Sequence, residues 1–116
     1  MIRVLIADDS AFMRKLLSDV FEDDGDFVVI DTARNGQDAV DKVKRLKPDL
    51  VTMDVEMPVM DGLTAVEIIM KENPLPIIMV SSLTSAGADA TIKALSLGAV
   101  DFIQKVSSPI SSVSGI

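Results

Sequence analysis

The sequence predicts an α/β domain built as a doubly wound, five-stranded parallel sheet with helices on both faces. Its strand-length segments are continuous apolar runs, which is typical of parallel strands buried on both faces. These runs alternate with segments whose apolar residues recur at helical spacing, the pattern of repeated strand–helix units with right-handed crossovers. Because the chain has 116 residues, it can bury one hydrophobic core without disulfides, and we expect a single domain.

The first two strand–helix units are read from apolar runs and helix boundary signals. Residues 2–7 form the first strand, and Ser10 follows as a candidate helix N-cap. The apolar stripe of the first helix comprises Phe12, Met13, Leu16, Leu17, Val20 and Phe21. Residues 27–32 predict the second strand, and a second helix follows the break at Asn35 and ends before Pro48. The apolar residues of that helix are Ala39, Val40, Val43 and Leu46.

The third unit begins with a strand over residues 50–53. The helix after it carries Leu63, Val66, Ile69 and Met70 at helical spacing. Two residues are candidates for its N-cap, Asp61 and Thr64, and Thr64 and Glu67 have the spacing of a capping box. The sequence leaves both candidates open.

The last two strands are predicted over residues 77–80 and 100–103. The helix between them carries Ala90, Ala94, Leu95 and Leu97, and Gly98 is the expected C-terminal cap. Phe102 lies on the fifth strand among apolar residues, so we expect it in the core.

Composition and charge exclude several classes of function. The chain has no Cys, His, Trp or Tyr, which removes disulfides, thiolate nucleophiles and imidazole catalysis. Its formal charge of −7 argues against binding nucleic acid through phosphates, which needs clustered Lys and Arg. No apolar run approaches the roughly 20 residues of a membrane span, and the start of the chain has no signal-peptide pattern. We therefore expect a cytoplasmic domain without membrane insertion.

Polar side chains follow four of the five predicted strands. The first strand ends in Asp8-Asp9, the third in Asp54 and the fourth in Ser81-Ser82, and Lys105 follows the fifth. The carboxyl ends of parallel strands meet at one edge of the sheet, where ligands bind. We therefore expect these groups to form one site.

The residue types at this edge indicate phosphoryl transfer. Three carboxylates brought together repel one another, so either one holds a proton or a divalent cation neutralises them. Mg²⁺ prefers such oxygen ligands. A free oxygen of Asp54 could then attack phosphorus and form an aspartyl phosphate, while the Lys105 ammonium and the Ser81 hydroxyl could stabilise the transferring group.

Each residue alone also has a structural explanation. Asp8 and Asp9 can complement the dipole of the first helix, Asp54 can be a turn residue, and Lys105 can be a solvated surface amine. The order of the four strand ends and the residue type at each favour the functional interpretation.

This pattern resembles the receiver domain of bacterial two-component response regulators, over residues 1 to about 105. The residues that carry the resemblance are Asp8-Asp9, Asp54 within the segment 53–62, Ser81, and Phe102 three residues before Lys105. The resemblance implies a flavodoxin-like fold with strand order 2-1-3-4-5.

The resemblance also implies a role for each site residue. Asp54 would be the phosphoacceptor, and Asp8, Asp9, Asp54 and the backbone carbonyl of Glu56 would surround Mg²⁺. Ser81 and Lys105 would contact the phosphoryl group, and Phe102 would match the aromatic whose rotamer reports phosphorylation. The phosphodonor would be a phosphohistidine of a sensor kinase.

Two further segments, 79–84 and 94–103, look like the regulatory domain of the chemotaxis protein-glutamate methylesterase, the CheB type. In such proteins the receiver covers and inhibits a C-terminal hydrolase until phosphorylation relieves it. We therefore expect a receiver domain over residues 1–106 and, in the Ser-rich residues 107–116, the start of an interdomain linker. The partners would be a chemotaxis-type histidine kinase and the effector domain of the parent chain, and the domain itself would be a monomer.

The sequence departs from the receiver pattern at two places. Val106 follows Lys105 where the family usually has a cis proline, and a cis bond without proline costs about 3–4 kcal/mol, so we predict a trans bond. Residues 107–116 also lack a clear fifth amphipathic helix.

Three other functions are compatible with the same residues. A freestanding single-domain receiver would differ only in lacking an attached effector. A Mg²⁺-dependent phosphohydrolase with an Asp nucleophile would need a substrate lid and a second acid, for which this short chain has no obvious room. A binding module with an acidic pocket would not respond to Mg²⁺ at all.

Overall fold

The computed structural model describes residues 1–81 and 85–104, and for residues 85, 86 and 104 the backbone alone. Strands and helices alternate as predicted. The strands are β1 (Ile2–Ala7), β2 (Phe27–Ala33), β3 (Leu50–Asp54), β4 (Ile77–Ser81) and β5 (Asp101–Gln104). The helices are α1 (Ala11–Asp24), α2 (Gly36–Leu46), α3 (Gly62–Glu72) and α4 (Ser85–Ser96). β5 lies one residue later than predicted, and the amide of Val100 just before it donates to the Ile77 carbonyl at 2.9 Å.

All strand pairs are parallel, and the order across the sheet is β2-β1-β3-β4-β5. This confirms the doubly wound, flavodoxin-like fold. β1 and β3 are central neighbours although they are not consecutive in the chain, so the direction of winding reverses between them. The crevice at such a reversal is where open parallel sheets bind ligands.

Side-chain caps determine where three helices begin. Ser10 accepts a bond from the Met13 amide at 3.3 Å, and Asn35 accepts one from the Asp38 amide at 2.8 Å. At α3 the cap is Asp61, whose carboxylate accepts from the Thr64 amide at 2.8 Å, so the choice that the sequence left open falls on Asp61. Each cap satisfies an amide that has no partner inside its helix.

Gly98 ends the last helical segment in the left-handed region, with φ of 121°, as predicted. A second constraint acts on this position, because a Cβ atom there would lie 2.9 Å from the terminal carbon of Met70. The backbone conformation therefore favours glycine, and a larger residue would also displace the Met70 side chain of α3.

Two apolar layers cover the sheet, one on each face. The layer beside α1 contains Val4, Ile6, Met13, Leu17 and Val80. The opposite layer is larger, and its most buried large side chains include Leu5, Val43, Met53, Val66, Ile69, Ile77 and Met79. Alternate residues of β1 enter opposite layers, as expected for a strand covered on both faces.

Two expectations about buried side chains are wrong. Phe102, expected in the core, is 51% exposed, because β5 is the edge strand of the described sheet and leaves the ring partly uncovered beside Met79. On α1, Phe12 and Val20 are also exposed. The buried face of α1 is thus narrower than its apolar stripe.

The predicted trans bond after Lys105 and the predicted linker lie outside the described residues. Within residues 1–81 and 85–104, no helix combines the length and hydropathy needed to cross a bilayer.

Candidate functional site

Asp8 is held firmly at the carboxyl end of β1. Its amide donates to the Ala33 carbonyl at 2.9 Å, which continues the pairing with β2. Its carboxylate Oδ1 accepts a 2.9 Å bond from the Ser10 amide, and its carbonyl oxygen accepts a 2.9 Å bond from Nη1 of Arg14. The residue is fully buried. Asp8 therefore presents its carboxylate from a fixed position, whereas the next residue, Asp9, is exposed.

Asp54 is the last residue of β3 and is only 3% exposed. The amide of Val55 donates to the Val80 carbonyl at 3.2 Å, and the amide of Gly62 donates to the Val55 carbonyl at 2.8 Å. A Cβ atom on Gly62 would overlap the carbonyl oxygen of Asp54. The start of α3 is therefore packed directly on the backbone of Asp54, and only glycine fits there.

The carboxylates of Asp8, Asp9 and Asp54 converge at this edge of the sheet. One oxygen from each lies within 4.8 Å of the others, so the predicted meeting of β1 and β3 is confirmed for these three residues. Two of the three side chains are buried, which increases their mutual repulsion. An oxygen-only, triply negative cluster of this size suits a hard divalent cation such as Mg²⁺.

A cleft opens beside the cluster. It has a volume of about 480 Å³ and is lined by Asp9, Glu56, Met57 and Pro58. Glu56 is exposed on its wall, in the segment that follows Asp54. The cleft gives the acidic cluster an open side toward solvent.

Ser81 occupies the corresponding end of β4. It is 6% exposed, and it follows Val80, the register partner of Asp54. The fourth strand therefore ends one residue beyond Asp54 at the same edge, as predicted. Lys105 and Ser82, the other polar groups predicted here, lie outside the described residues.

The sequence model of the response regulator receiver domain matches residues 4–113 of the chain. The chain belongs to this family. The resemblance found from the motifs is thereby confirmed. As a receiver domain, it carries its acidic cluster at the place typical of a receiver Mg²⁺ site.

Several curated relatives of the chain are protein-glutamate methylesterase/protein-glutamine glutaminases. The relative from Halalkalibacterium halodurans is 57% identical over 110 residues, which are 95% of this chain and 32% of that protein. The relative from Pyrococcus horikoshii is 56% identical over 110 residues, 95% of this chain and 30% of that protein. The chain thus spans about a third of the length of these relatives.

Solved structures also agree with membership of the receiver-domain family. The response regulator domain of Thermotoga maritima CheB superposes with a TM-score of 0.88 at 49% identity, covering 99% of this chain and 89% of that one. The CheX–CheY–BeF3–Mg²⁺ complex from Borrelia burgdorferi contains a chain with a TM-score of 0.82 at 36% identity, covering 97% of this chain and 84% of that one. The chain is therefore similar over nearly its whole length to the response regulator domain of a CheB protein.

The receiver domain also contains a strained turn that sequence reasoning missed. Val59 has φ of 70° and is 84% exposed, and the Met60 amide donates to the Pro58 carbonyl at 2.7 Å. A bond between residues two apart around a positive φ is a γ-turn, which is rare and strained, above all at a β-branched residue. The carbonyl of Met60 in turn accepts from the Gly36 amide at 2.8 Å, so α2 braces this loop.

Two further polar residues were also missed. Thr52 lies within the apolar run of β3, and its hydroxyl is buried with no hydrogen-bond partner among the described residues. Arg14 lies on α1 and reaches back to Asp8. Neither has a local sequence signal, since the first sits in a strand pattern and the second beside another basic residue, Lys15.

Proposed function

We propose that this receiver domain accepts a phosphoryl group on Asp54 from the phosphohistidine of a chemotaxis-type kinase, in a Mg²⁺-dependent reaction. The observation that carries the proposal is the convergence of the Asp8, Asp9 and Asp54 carboxylates within 4.8 Å at the carboxyl edge of the sheet. That cluster combines a nucleophile with a set of hard-cation ligands at the end of an open cleft.

Asp54 is the nucleophile of the proposed reaction. One of its carboxylate oxygens forms a bond to phosphorus while the phosphorus–nitrogen bond of the donor breaks, and the electron pair of that bond stays with the leaving imidazole. Asp54 is suited to this role because its backbone is fixed by the close packing of Gly62, which holds the attacking atom in one place.

Asp8 and Asp9 would hold the cation together with Asp54 and the backbone carbonyl of Glu56. When bound, Mg²⁺ would supply positive charge against the phosphoryl oxygens and remove the repulsion among the carboxylates. Asp8 contributes a fixed ligand through its bond from Ser10, and exposed Asp9 leaves the open side through which ion and donor enter.

Ser81 and Lys105 act on the phosphoryl group after transfer. The hydroxyl of Ser81 donates a hydrogen bond to a phosphoryl oxygen, and the ammonium of Lys105 balances its added charge. Phe102 reports the change: its ring, 51% exposed in this structure, turns inward once Ser81 moves toward the phosphoryl group.

The output is control of an attached effector. The chain spans about a third of methylesterase relatives that it matches at 56–57% identity, so we propose that residues 1–106 are the receiver and residues 107–116 begin the linker to a methylesterase domain. The receiver has no substrate of its own in this scheme, and its chemistry is limited to its own phosphorylation and dephosphorylation.

Intact mass after incubation with acetyl phosphate tests the proposal. With Mg²⁺ we expect one added phosphoryl group, and with EDTA none. Asp54→Asn removes the attacking oxygen and should abolish the adduct, whereas Asp41→Asn, on the exposed side of α2, should leave it unchanged. An adduct that persists in Asp54→Asn would place the acceptor elsewhere.

A further inference from the structure

Arg14 joins α1 to the acidic cluster through the backbone. Its Nη1 donates to the carbonyl oxygen of Asp8 at 2.9 Å, and its side chain is half-buried. This carbonyl belongs to the peptide unit that connects Asp8 to Asp9, and its orientation determines the directions in which the two side chains leave the chain. One guanidinium bond therefore acts on two of the three clustered carboxylates.

The other bonds of the β1–α1 turn that involve Asp8 hold its amide and its carboxylate. The amide of Asp8 is fixed by Ala33 and its carboxylate by Ser10, but both bonds lie on the Asp8 side of the unit. Asp9 is exposed. Arg14 acts directly on the peptide from which Asp9 projects, through its bond to the Asp8 carbonyl.

We propose that Arg14 is a positioning residue that holds the Asp8–Asp9 peptide in the orientation in which both carboxylates meet Asp54, and so determines the affinity of the cluster for a divalent cation. The inference rests on the proposed function, because it takes the cluster to be a cation site. Groups that orient metal ligands commonly change metal affinity by about 10–100-fold when removed.

A purely electrostatic role for Arg14 predicts the opposite change in the Kd for the cation. A guanidinium charge near the cluster opposes an incoming cation, so removing only its charge would tighten cation binding. Removing a positioning contact weakens it. The direction of the change therefore separates the two roles.

The chain offers a matched control one residue away. Lys15 lies about 100° around the helix from Arg14, is 77% exposed, and pairs with Asp19 at 2.9 Å. Lys15→Met removes the same charge from the same turn without touching Asp8. Arg14→Lys keeps the charge and a donor but loses the planar guanidinium.

The experiment is a titration of the wild type and the three variants with Mg²⁺ alone. Binding is monitored through the NMR chemical shifts of the backbone amides of Asp9 and Asp54. Circular dichroism checks that each variant is folded. We expect Arg14→Met to raise the Kd for Mg²⁺ about 10-fold and Arg14→Lys to lie between it and the wild type. Lys15→Met should change the Kd less than about 2-fold, because its charge is solvent-screened.

An equal or tighter Kd in Arg14→Met overturns the inference, and so does an equal loss in Lys15→Met. If Arg14→Met does not fold, Arg14→Lys decides: a weaker Kd supports positioning and an unchanged one overturns it. A wild type that binds Mg²⁺ but gives no phosphoryl adduct would sink the proposed function alone, whereas a wild type that binds no Mg²⁺ would sink both.

Discussion

Neutralising Asp9 should stabilise the metal-free receiver, because the three carboxylates repel one another. Asp9 is the suitable member to change, since it is exposed and its side chain is not needed for packing. Asp9→Asn keeps the size of the side chain and removes one charge from the cluster. The prediction is that the free energy of unfolding rises when no divalent cation is present.

The magnitude follows from the separation of the charges. Two unit charges at 4.8 Å, the upper limit of the separation of these oxygens, repel by about 0.9 kcal/mol at the dielectric constant of water and by about 3.5 kcal/mol at an effective constant of 20. Asp9 is exposed, which favours the lower value, and its repulsion with neighbouring Asp8 persists in part in the unfolded chain. We therefore expect a gain of about 1–2 kcal/mol, mostly from the repulsion between Asp9 and Asp54.

Mg²⁺ should reverse which of the two proteins, wild type or Asp9→Asn, has the higher free energy of unfolding. A ligand that binds only the folded state adds about 2.7 kcal/mol at a hundredfold excess over its Kd. The wild type gains this stabilisation, whereas Asp9→Asn has lost a ligand and gains less. The wild type should thus be the less stable protein in EDTA and the more stable one in saturating Mg²⁺.

Urea unfolding followed by circular dichroism at both conditions measures the effect, since the chain has no Trp or Tyr for fluorescence. Asp41→Asn, a neutralisation on the outer side of α2, should change stability by less than about 0.5 kcal/mol in either condition. If Asp9→Asn is no more stable than the wild type in EDTA, the repulsion argument is refuted.

Two further predictions concern unfavourable features near the site. Thr52→Val should raise the free energy of unfolding by about 1 kcal/mol, because it replaces a buried hydroxyl that has no partner among the described residues with a methyl group of the same shape. A lower free energy of unfolding, measured with urea, would indicate that the hydroxyl has a partner. Val59→Gly should stabilise by about 1 kcal/mol, since glycine adopts a φ of 70° without the cost that valine bears, and a lowered Tm would show that the γ-turn is not strained.

The fold could be predicted because each of its determinants is local in sequence. The apolar run 50–53 and the helical spacing around Val66 and Ile69 are readable without knowing what packs on them. Phe102 could not be placed in the same way. Its neighbours make it look like a core residue, and its exposure follows from the position of β5 at the edge of the sheet, a property of topology and not of the local pattern.

The site was predictable only to the extent that it lies at strand ends. Asp8 directly follows β1 and Asp54 ends β3, and the rule for parallel sheets brings them together. Arg14 and Val59 act through backbone geometry, a bond to a carbonyl and a positive φ, and a sequence does not display such geometry. Valine is in fact among the residues least expected at φ of 70°, so the local pattern argues against what the structure contains.

The features that sequence reasoning did not predict or that destabilise the fold lie close to the candidate site. The three close carboxylates, the Thr52 hydroxyl without a partner among the described residues, and the strained turn at Val59 all lie within β1 or β3 or in the segments directly after them. Each lowers the stability of a fold that is otherwise consistent at every level, and local conflicts of this kind concentrate where function requires them. The rigid supports lie at the same edge: Gly62 packed on the Asp54 backbone and Arg14 bonded to the Asp8 carbonyl. A site that must hold repelling groups ready for a cation needs both features, because charges that were free to separate would lose the geometry that makes them bind.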